Sequence, residues 1–387
     1  MNFKKALLFI YLVIFPFGQL LSFTANILGV SVRIHPADVV VGLLALSTLR
    51  GKIKFPKVFV DVKNFLYVLG FSLVFSFLTF SARQSLVVSL YFFRLVAYSL
   101  FFLGVLDLTK KENLKEFLFK SLVAISSFIG IFGLFQYFVY PDVRAFSVWG
   151  WDDHLFRLVG TFLDPGFTVI FLVFGFLATL GFYFTTQNKK WLALLGFFLV
   201  VIALTYSRAG YFAFLAGLAT LLALEKNLKR ILPPVLIFLM IVFLIPRWGS
   251  EGVALARTRS IFARLTSYSE GIALFSKSPV FGIGYNNVCA GKEKFLGKTA
   301  DFTSHACSGV ESGPLLILAT GGLVGFFSFL FLVFRILKNT TRNLYGKVFI
   351  ASGVSLLTHS LFTNSLFYPW VMGYMGIMLA LSIRERS

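Results

Sequence analysis

Long apolar blocks, separated by short polar connections, recur along the whole chain and restrict what it can fold into. A helix of roughly 20 residues crosses the ~30 Å hydrocarbon core of a bilayer, whereas the strands of a membrane barrel alternate over about ten residues. The blocks therefore predict an all-α, polytopic membrane protein with about twelve transmembrane helices. They cover residues 6–23, 38–49, 65–80, 86–106, 122–140, 167–184, 191–204, 209–224, 231–245, 314–334, 348–362 and 366–383.

The composition agrees with a membrane protein. Of the 387 residues, 58% are hydrophobic and 13% are charged, far from the composition of a soluble domain. The formal net charge of +20 would indicate a nucleic-acid partner in a soluble protein, but here topology explains most of it, and no nucleic acid is expected. Residues 1–23 resemble a signal peptide, yet more spans follow, so we expect a retained first helix.

The basic residues are distributed unevenly between the connections. Alternate connections, counted from the N-terminus, carry 22 Lys or Arg residues, whereas the intervening short connections carry five. Cytoplasmic loops are enriched in Lys and Arg, so this bias predicts that both termini are cytoplasmic. We treat residues 1–387 as one membrane domain.

The longest connection, residues 246–312, lies on the outer side in this topology. Its length exceeds ordinary connections, which marks it as a functional segment. Within it, apolar residues recur at helical spacing and predict an amphipathic helix on the membrane surface. These residues are Ile261, Leu265, Tyr268, Ile272 and Phe275. Arg257 and Arg264 are seven residues apart and would share the face beside this apolar stripe.

Charged side chains are concentrated in the outer connections. They are Asp152, Asp153, His154, Arg157, Asp164, Arg208, Arg257, Arg259, Arg264, His305 and Glu311. The planar fork of arginine matches phosphate oxygens, so we predict that Arg157, Arg208, Arg257 and Arg264 bind a lipid diphosphate. Contact with ordinary lipid headgroups is the alternative. Arg208 begins a helix, where a cation opposes the helix dipole and an anionic ligand would relieve the conflict.

No pattern in the chain indicates a metal or another cofactor. The motifs D-x-D, H-E-x-x-H and the P-loop are missing, and Cys289 and Cys307 do not have zinc-finger spacing. The segment Trp149–His154 combines aromatic and acidic residues, but a solvated turn explains it better than a sugar or metal site. Both cysteines lie in the outer loop, which favours a disulfide, with two unpaired thiols as the alternative.

Few ionisable residues fall within the predicted spans. They are Asp38, Arg94 and His359, and only Arg94 lies near the middle of a span. An ion-coupled transporter usually needs acids or a basic relay near the membrane midplane. The sequence therefore disfavours a transporter, and Arg94 is interpreted as paired with backbone or with a neighbouring helix.

Four short motifs, in this order, resemble the O-antigen ligase and O-antigen polymerase superfamily of bacterial membrane glycosyltransferases. They are Arg157-Leu-Val-Gly-Thr-Phe162 leading to Asp164-Pro165, Ser207-Arg-Ala-Gly210, Ser278-Pro-Val-Phe-Gly-Ile-Gly284 and Thr320-Gly-Gly-Leu-Val-Gly325. The long outer loop before the last helices completes the pattern. The resemblance covers about residues 118–334.

The resemblance implies an enzyme of the bacterial inner membrane. Such an enzyme transfers a glycan from an undecaprenyl-diphosphate carrier to an acceptor on the periplasmic side, with inversion and without a metal, a cofactor or a nucleotide sugar. In a ligase the acceptor is the lipid A-core or another anchor, and in a polymerase it is a second lipid-linked repeat. Apart from these substrates, we expect only membrane lipids as partners.

One motif departs from the family pattern. Ligases commonly carry His-Asn about eleven residues before the glycine that opens the next helix motif, and counting back from Gly322 reaches Glu311-Ser312. His305 lies six residues earlier. Either side chain can deprotonate an acceptor hydroxyl, so Glu311 and His305 are both candidate general bases. Capping of the following helix is the structural alternative for Glu311.

Overall fold

The computed structural model describes residues 3–27, 30–51, 55–149, 152–246, 251–254, 257–299, 307 and 309–384 of the chain. Within them, helices predominate. They are α1 (Phe3–Ile14), α2 (Pro36–Leu49), α3 (Lys57–Ser76), α4 (Ala82–Lys111), α5 (Lys115–Val139), α6 (Pro165–Thr186), α7 (Lys190–Leu204), α8 (Arg208–Leu224), α9 (Leu232–Leu244), α10 (Arg259–Lys277), α11 (Val288–Leu296), α12 (Gly313–Asn339), α13 (Leu344–Ser360) and α14 (Pro369–Ser382).

The all-α membrane class is confirmed, since 77% of the structure is helical. Each predicted apolar block overlaps one of these helices, and α10 overlaps the predicted amphipathic segment. Among the described residues, six helical segments are long and apolar enough to cross a membrane, and the first of them, Phe3–Leu20, combines α1 with the 3-10 helix that follows it. Four more are shorter apolar helices. The number of spans therefore stays a prediction.

The first apolar block departs from a single helix. α1 ends at Ile14 and continues as a 3-10 helix, Phe15–Leu20, because Pro16 interrupts the hydrogen bonding and Gly18 has a positive φ of 53°. Two antiparallel strands follow, β1 (Phe23–Ile27) and β2 (Val30–Ile34). The hairpin was not predicted from the sequence, because it lies mostly in the short connection between the first two apolar blocks.

Helix α6 lies at the centre of the helix bundle and is buried along most of its length. Its neighbours are α5, α7, α8 and α13. Glycines allow the close approach: Gly175 faces Ser126 of α5, and Gly210 of α8 faces Val169. A helix that is apolar on every side belongs in such an interior, and small residues at the contacts bring membrane helices together.

Helix α12 is broken at Gly322, which has non-helical angles of φ 63° and ψ −165°. The segment 278–284 enters this break and exchanges backbone hydrogen bonds with it. Leu323 N donates to Pro279 O, Val324 N to Val280 O, Ile283 N to Ala319 O and Gly284 N to Thr320 O, at 2.8–3.1 Å. Backbone polar groups buried in a membrane protein need such partners, so the two glycine-containing motifs form one structural unit.

We expect Gly282→Ala to destabilise the fold more than Gly297→Ala. Both glycines have positive φ, which costs an alanine roughly 1–2 kcal/mol. At Gly282 the new Cβ would also lie 2.3 Å from the Thr320 carbonyl carbon, whereas at Gly297 nothing lies within 4 Å. The unfolding midpoint of each variant in detergent measures the difference. Equal losses would show that the contact with the α12 break contributes nothing.

Candidate functional site

A cavity of about 1230 Å³ lies where several helices begin. Residues at or next to the N-terminal ends of α2, α6, α8, α12 and α14 line it, namely His35, Gly166, Ser207, Glu311 and Pro369. Because the start of a helix carries partial positive charge and free N–H groups, this arrangement favours an anionic ligand.

Most of the predicted site residues meet at this cavity. Arg157, Arg257, Arg264 and Glu311 line it. Arg208 donates from Nη2 to Oγ of the lining residue Ser260 at 2.8 Å. The prediction for His305 lies outside the described residues. The tertiary structure thus gathers four arginines and one candidate base, from four separate stretches of sequence.

Arg157 and Arg257 both bind the turn between α7 and α8. Nη2 of Arg157 and Nη2 of Arg257 donate to the Tyr206 carbonyl at 3.4 and 3.1 Å, and Nε of Arg157 donates to Thr205 O at 3.1 Å. Tyr206 has a positive φ of 49°, so the arginines stabilise an unusual backbone conformation. Burial and the nearby Arg257 cation lower the pKa of Arg157. An anion in the cavity would relieve this repulsion.

Fewer N–H donors of Arg264 are bonded to backbone carbonyls than is the case for these two arginines. Its Nε lies 3.1 Å from Phe362 O and 3.4 Å from Oε2 of Glu311, and its side chain is 24% exposed. On α10, Ser260, Arg264 and Ser267 are spaced by four and three residues, so they share one face. That face lines the cavity, whereas Ile261, Phe262, Leu265 and Ile272 are exposed.

The backbone of Glu311 is fixed by a hydrogen bond, and its carboxylate is accessible. Its backbone N–H donates to Ser267 Oγ at 2.9 Å, and its side chain is 52% exposed. Burial raises the pKa of Glu311, although the Arg264 cation opposes the rise. The side chain that caps α12 is Ser312, whose Oγ accepts from Leu315 N, so capping does not require Glu311.

The segment that precedes Glu311 is tied to α11. Cys289 and Cys307 form a disulfide. One helical turn after Cys289, Lys292 Nζ donates to Gly309 O at 3.2 Å and lies 3.0 Å from Oε2 of Glu270 on α10. These contacts fix the backbone that precedes Glu311, and Glu311 itself lies at the cavity wall.

Three side chains beside Arg157 could be considered for a metal ion. Ligand atoms of Asp152, His154 and Asp164 lie within 4.8 Å of one another. Nη1 of Arg157 lies 3.4 Å from His154 Nδ1, and a guanidinium only donates, so Nδ1 accepts. Nε2 of His154 is buried without a hydrogen-bond partner among the described residues and lies 3.6 Å from Asp164 Oδ2. These three side chains could therefore hold a cation.

The loop between α13 and α14 contributes cavity residues that the sequence analysis did not select. His359, noted above as an ionisable residue in a span, is fully buried, and its Nδ1 lies 3.0 Å from Ser365 Oγ in this loop. That loop supplies Thr363, Asn364 and Tyr368 to the cavity. His359 could have been selected from the sequence, because it is an ionisable residue in an apolar span. The loop residues belong to no recognisable sequence pattern.

The fold and the cavity define a polytopic α-helical membrane protein with a basic cavity at the helix starts. Residues 192–330 match a protein family described as O-Antigen ligase. The match confirms the predicted resemblance to the O-antigen ligase and polymerase superfamily over these residues. It includes Arg208, Arg257, Arg264 and Glu311 but not Arg157. No curated protein matches the chain.

Proposed function

We propose that the protein transfers a glycan from undecaprenyl diphosphate to a lipid or glycan acceptor, on the outer side of the inner membrane. The observation that carries the proposal is the pairing of Arg264 with Glu311, 3.4 Å apart, at the wall of a large cavity. A cation that can bind a diphosphate and a carboxylate that can take a proton are the two groups this reaction needs.

Arg208 and Arg264 bind the donor diphosphate in this proposal. Arg208 is on the first turn of α8, and Arg264 lies on the cavity face of α10. Arg157 and Arg257 hold the Tyr206 turn in front of α8, so they position the phosphate-binding groups and add positive charge. The dipoles of the surrounding helix N-termini also favour the anion, although one N–H group each at the starts of α6, α8 and α12 is already bonded to a capping side chain.

Glu311 is the general base in the proposed reaction. Its carboxylate takes the proton of the acceptor hydroxyl, whose oxygen forms a bond to the anomeric carbon of the donor. The bond from that carbon to the diphosphate oxygen breaks on the opposite face, which inverts the configuration, and undecaprenyl diphosphate leaves with the electron pair. The arginines stabilise the negative charge that develops on the leaving group.

The packing of the helix ends agrees with a cavity on the side opposite the termini. Lys4, near the start of α1, lies 3.4 Å from Asp107, near the end of α4. Thr340, after α12, pairs with Ile383, after α14. The start of the chain is thus near the end of α4, and α12 and α14 end together, whereas the cavity is lined by helix starts.

We expect both termini in the cytoplasm and the cavity outside, because of the charge bias of the connections. Reporter fusions after Arg50, Lys190 and Arg384 should give a cytoplasmic signal, and a fusion near Lys294 should give an external one. An external C-terminus would reverse the orientation. The cavity would then face the cytoplasm, whereas the glycan of the proposed lipid-linked donor is on the outer side.

A polymerase reaction is the second candidate. It is favoured by Glu311-Ser312, which stand where ligases commonly carry His-Asn. In that case the acceptor hydroxyl belongs to a second lipid-linked repeat, and the donor site and the general base are unchanged.

A deletion strain and a purified enzyme test the proposed function together. The deletion should accumulate a lipid-linked glycan, and this lipid pool should serve as the donor for the purified protein in proteoliposomes. A ligase would move the glycan to the lipid A-core or another anchor, and a polymerase would lengthen the lipid-linked chains. Passage of the pool across the bilayer without a new glycosidic bond would favour the transporter alternative and contradict the proposal.

A further inference from the structure

The cavity has a second group of lining residues, which the proposed chemistry does not use. We call it the aromatic face, and it consists of Arg33, His35, Tyr91, Arg94, Tyr285 and Trp370. These residues come from β2, α4, α14, the residue before α2 and the turn before α11. None of these elements carries Arg208, Arg264 or Glu311, so the aromatic face is a separate wall of the same cavity.

Arg94 is fixed in the aromatic face by an ion pair with Asp38. Its Nη2 lies 2.9 Å from Oδ2 of Asp38, whose other oxygen accepts from the Tyr98 hydroxyl at 3.2 Å. The guanidinium carbon lies 5.6 Å from the centre of the Tyr91 ring. The Arg94–Asp38 pair is neutral as a whole, so Arg94 presents a planar, immobilised set of N–H donors that can pair with hydroxyl groups.

The aromatic rings are held by ring-to-ring contacts. Tyr285 lies edge-to-face with Phe92 and Phe367, at 6.0 and 5.9 Å between centroids. Trp370 contacts His35 at 4.5 Å. These two rings are buried, with Tyr285 6% and Trp370 1% exposed, so they form the support of the wall. Tyr91 is 37% exposed and offers the ring face for packing and the hydroxyl for hydrogen bonds.

Tyr368 lies between the aromatic face and the charged wall, which consists of Asp164, Arg264 and Glu311. Gln19 Nε2 donates to its hydroxyl at 3.0 Å, and its ring stacks on Phe167 at 4.2 Å. Its ring centroid also lies 5.1 Å from that of Trp370, and the backbone N–H of Phe167 donates to Asp164 Oδ1 at 2.8 Å, so the two walls adjoin.

We propose that the aromatic face binds sugar residues of a substrate, beside the diphosphate site. A sugar ring has a C–H face that packs on an aromatic ring and hydroxyls that pair with a planar donor such as Arg94. A cavity of about 1230 Å³ exceeds even the roughly 300–1000 Å³ of ordinary ligand sites, so a diphosphate leaves space for several sugars. This inference rests on the proposed function and assigns its saccharide subsite.

Two soluble probes test the subsite separately. The first is the free oligosaccharide released by mild acid from the lipid-linked glycan of the deletion strain, and the second is farnesyl diphosphate. Tyr91→Ala should raise the dissociation constant of the oligosaccharide roughly 2- to 13-fold, the range of an aromatic contact, and leave that of farnesyl diphosphate unchanged. Tyr91→Phe, which keeps the ring, should retain most of the oligosaccharide affinity.

Phe93→Ala is the matched control. Phe93 is two residues away on α4 and 65% exposed, and it does not line the cavity, so both probes should bind this variant as they bind the wild type. Wild-type affinity of Tyr91→Ala for the oligosaccharide would overturn the inference alone. Equal weakening of both probes would also overturn it. If neither probe bound the wild type, the proposed function would fail as well.

Competition identifies which substrate supplies the sugars. Intact lipid-linked glycan should displace the oligosaccharide from the wild type if the aromatic face binds the sugars of the donor. It should leave the oligosaccharide bound if the face binds those of the acceptor. Either result, with the loss in Tyr91→Ala, supports a saccharide subsite.

Discussion

Glu311→Gln should lower the transfer rate by roughly 10²–10⁴-fold, because the amide cannot accept the proton of the acceptor hydroxyl. Folding and donor binding should be preserved, since the backbone N–H bond to Ser267 and the Ser312 cap do not involve the carboxylate. The transfer rate and the thermal stability are measured on the same preparation in the same detergent. Glu293→Gln is the control, because Glu293 is an exposed acid on α11 that does not line the cavity.

His305→Ala separates the two candidate bases. If Glu311 is the base, this variant should lose much less activity than Glu311→Gln. The reverse ranking would assign the role to His305. Full activity of both variants would contradict either assignment, and a loss of stability of about 1 kcal/mol in Glu311→Gln with little loss of rate would indicate a structural role.

The pH dependence follows from the direction of the pKa shift. Burial raises the pKa of Glu311, and a base acts only when ionised, so the rate should fall with decreasing pH at a higher pH than for an ordinary glutamate. Arg264 lowers that pKa. Arg264→Gln should therefore move the acid limb to higher pH, and an unmoved limb would show that another group titrates.

Arg208→Lys and Arg264→Lys should each reduce turnover roughly 10- to 150-fold, and the alanine variants should be at least as impaired. Lysine keeps the charge but loses the planar fork, and one charge-assisted hydrogen bond is worth about 1.5–3 kcal/mol. The effect is measured as kcat/KM for the lipid-linked donor. The control is Arg83→Ala, an exposed arginine in the first turn of α4 that does not line the cavity. Wild-type activity of both alanine variants would refute the diphosphate site.

The helices were predictable because the signal is local. A membrane span requires a long apolar stretch whatever its neighbours are, and each of the predicted blocks overlaps a helix in the structure. The exceptions have local causes as well. Pro16 and Gly18 shorten the first helix, and Gly322 breaks α12, where the segment 278–284 supplies the missing hydrogen bonds.

The candidate site was only partly predictable. Chemical type and outer position selected Arg208, Arg264 and Glu311, which the structure brings to one region. The same reasoning gave Arg157 the same role, yet its donors are directed at the carbonyls of residues nearly fifty positions away. Which donors of an arginine are already used depends on the backbone that packs against it, and the sequence does not contain that information.

The sequence by itself determined the membrane class, the positions of the helices and the chemical groups on offer, because burial in lipid and loop charge act on each segment separately. Only the tertiary structure decided that the starts of distant helices surround one cavity. It also decided that Arg94 pairs with Asp38 and lines an aromatic wall. Such contacts join residues far apart in the chain, and their formation depends on how the helices pack rather than on any local pattern.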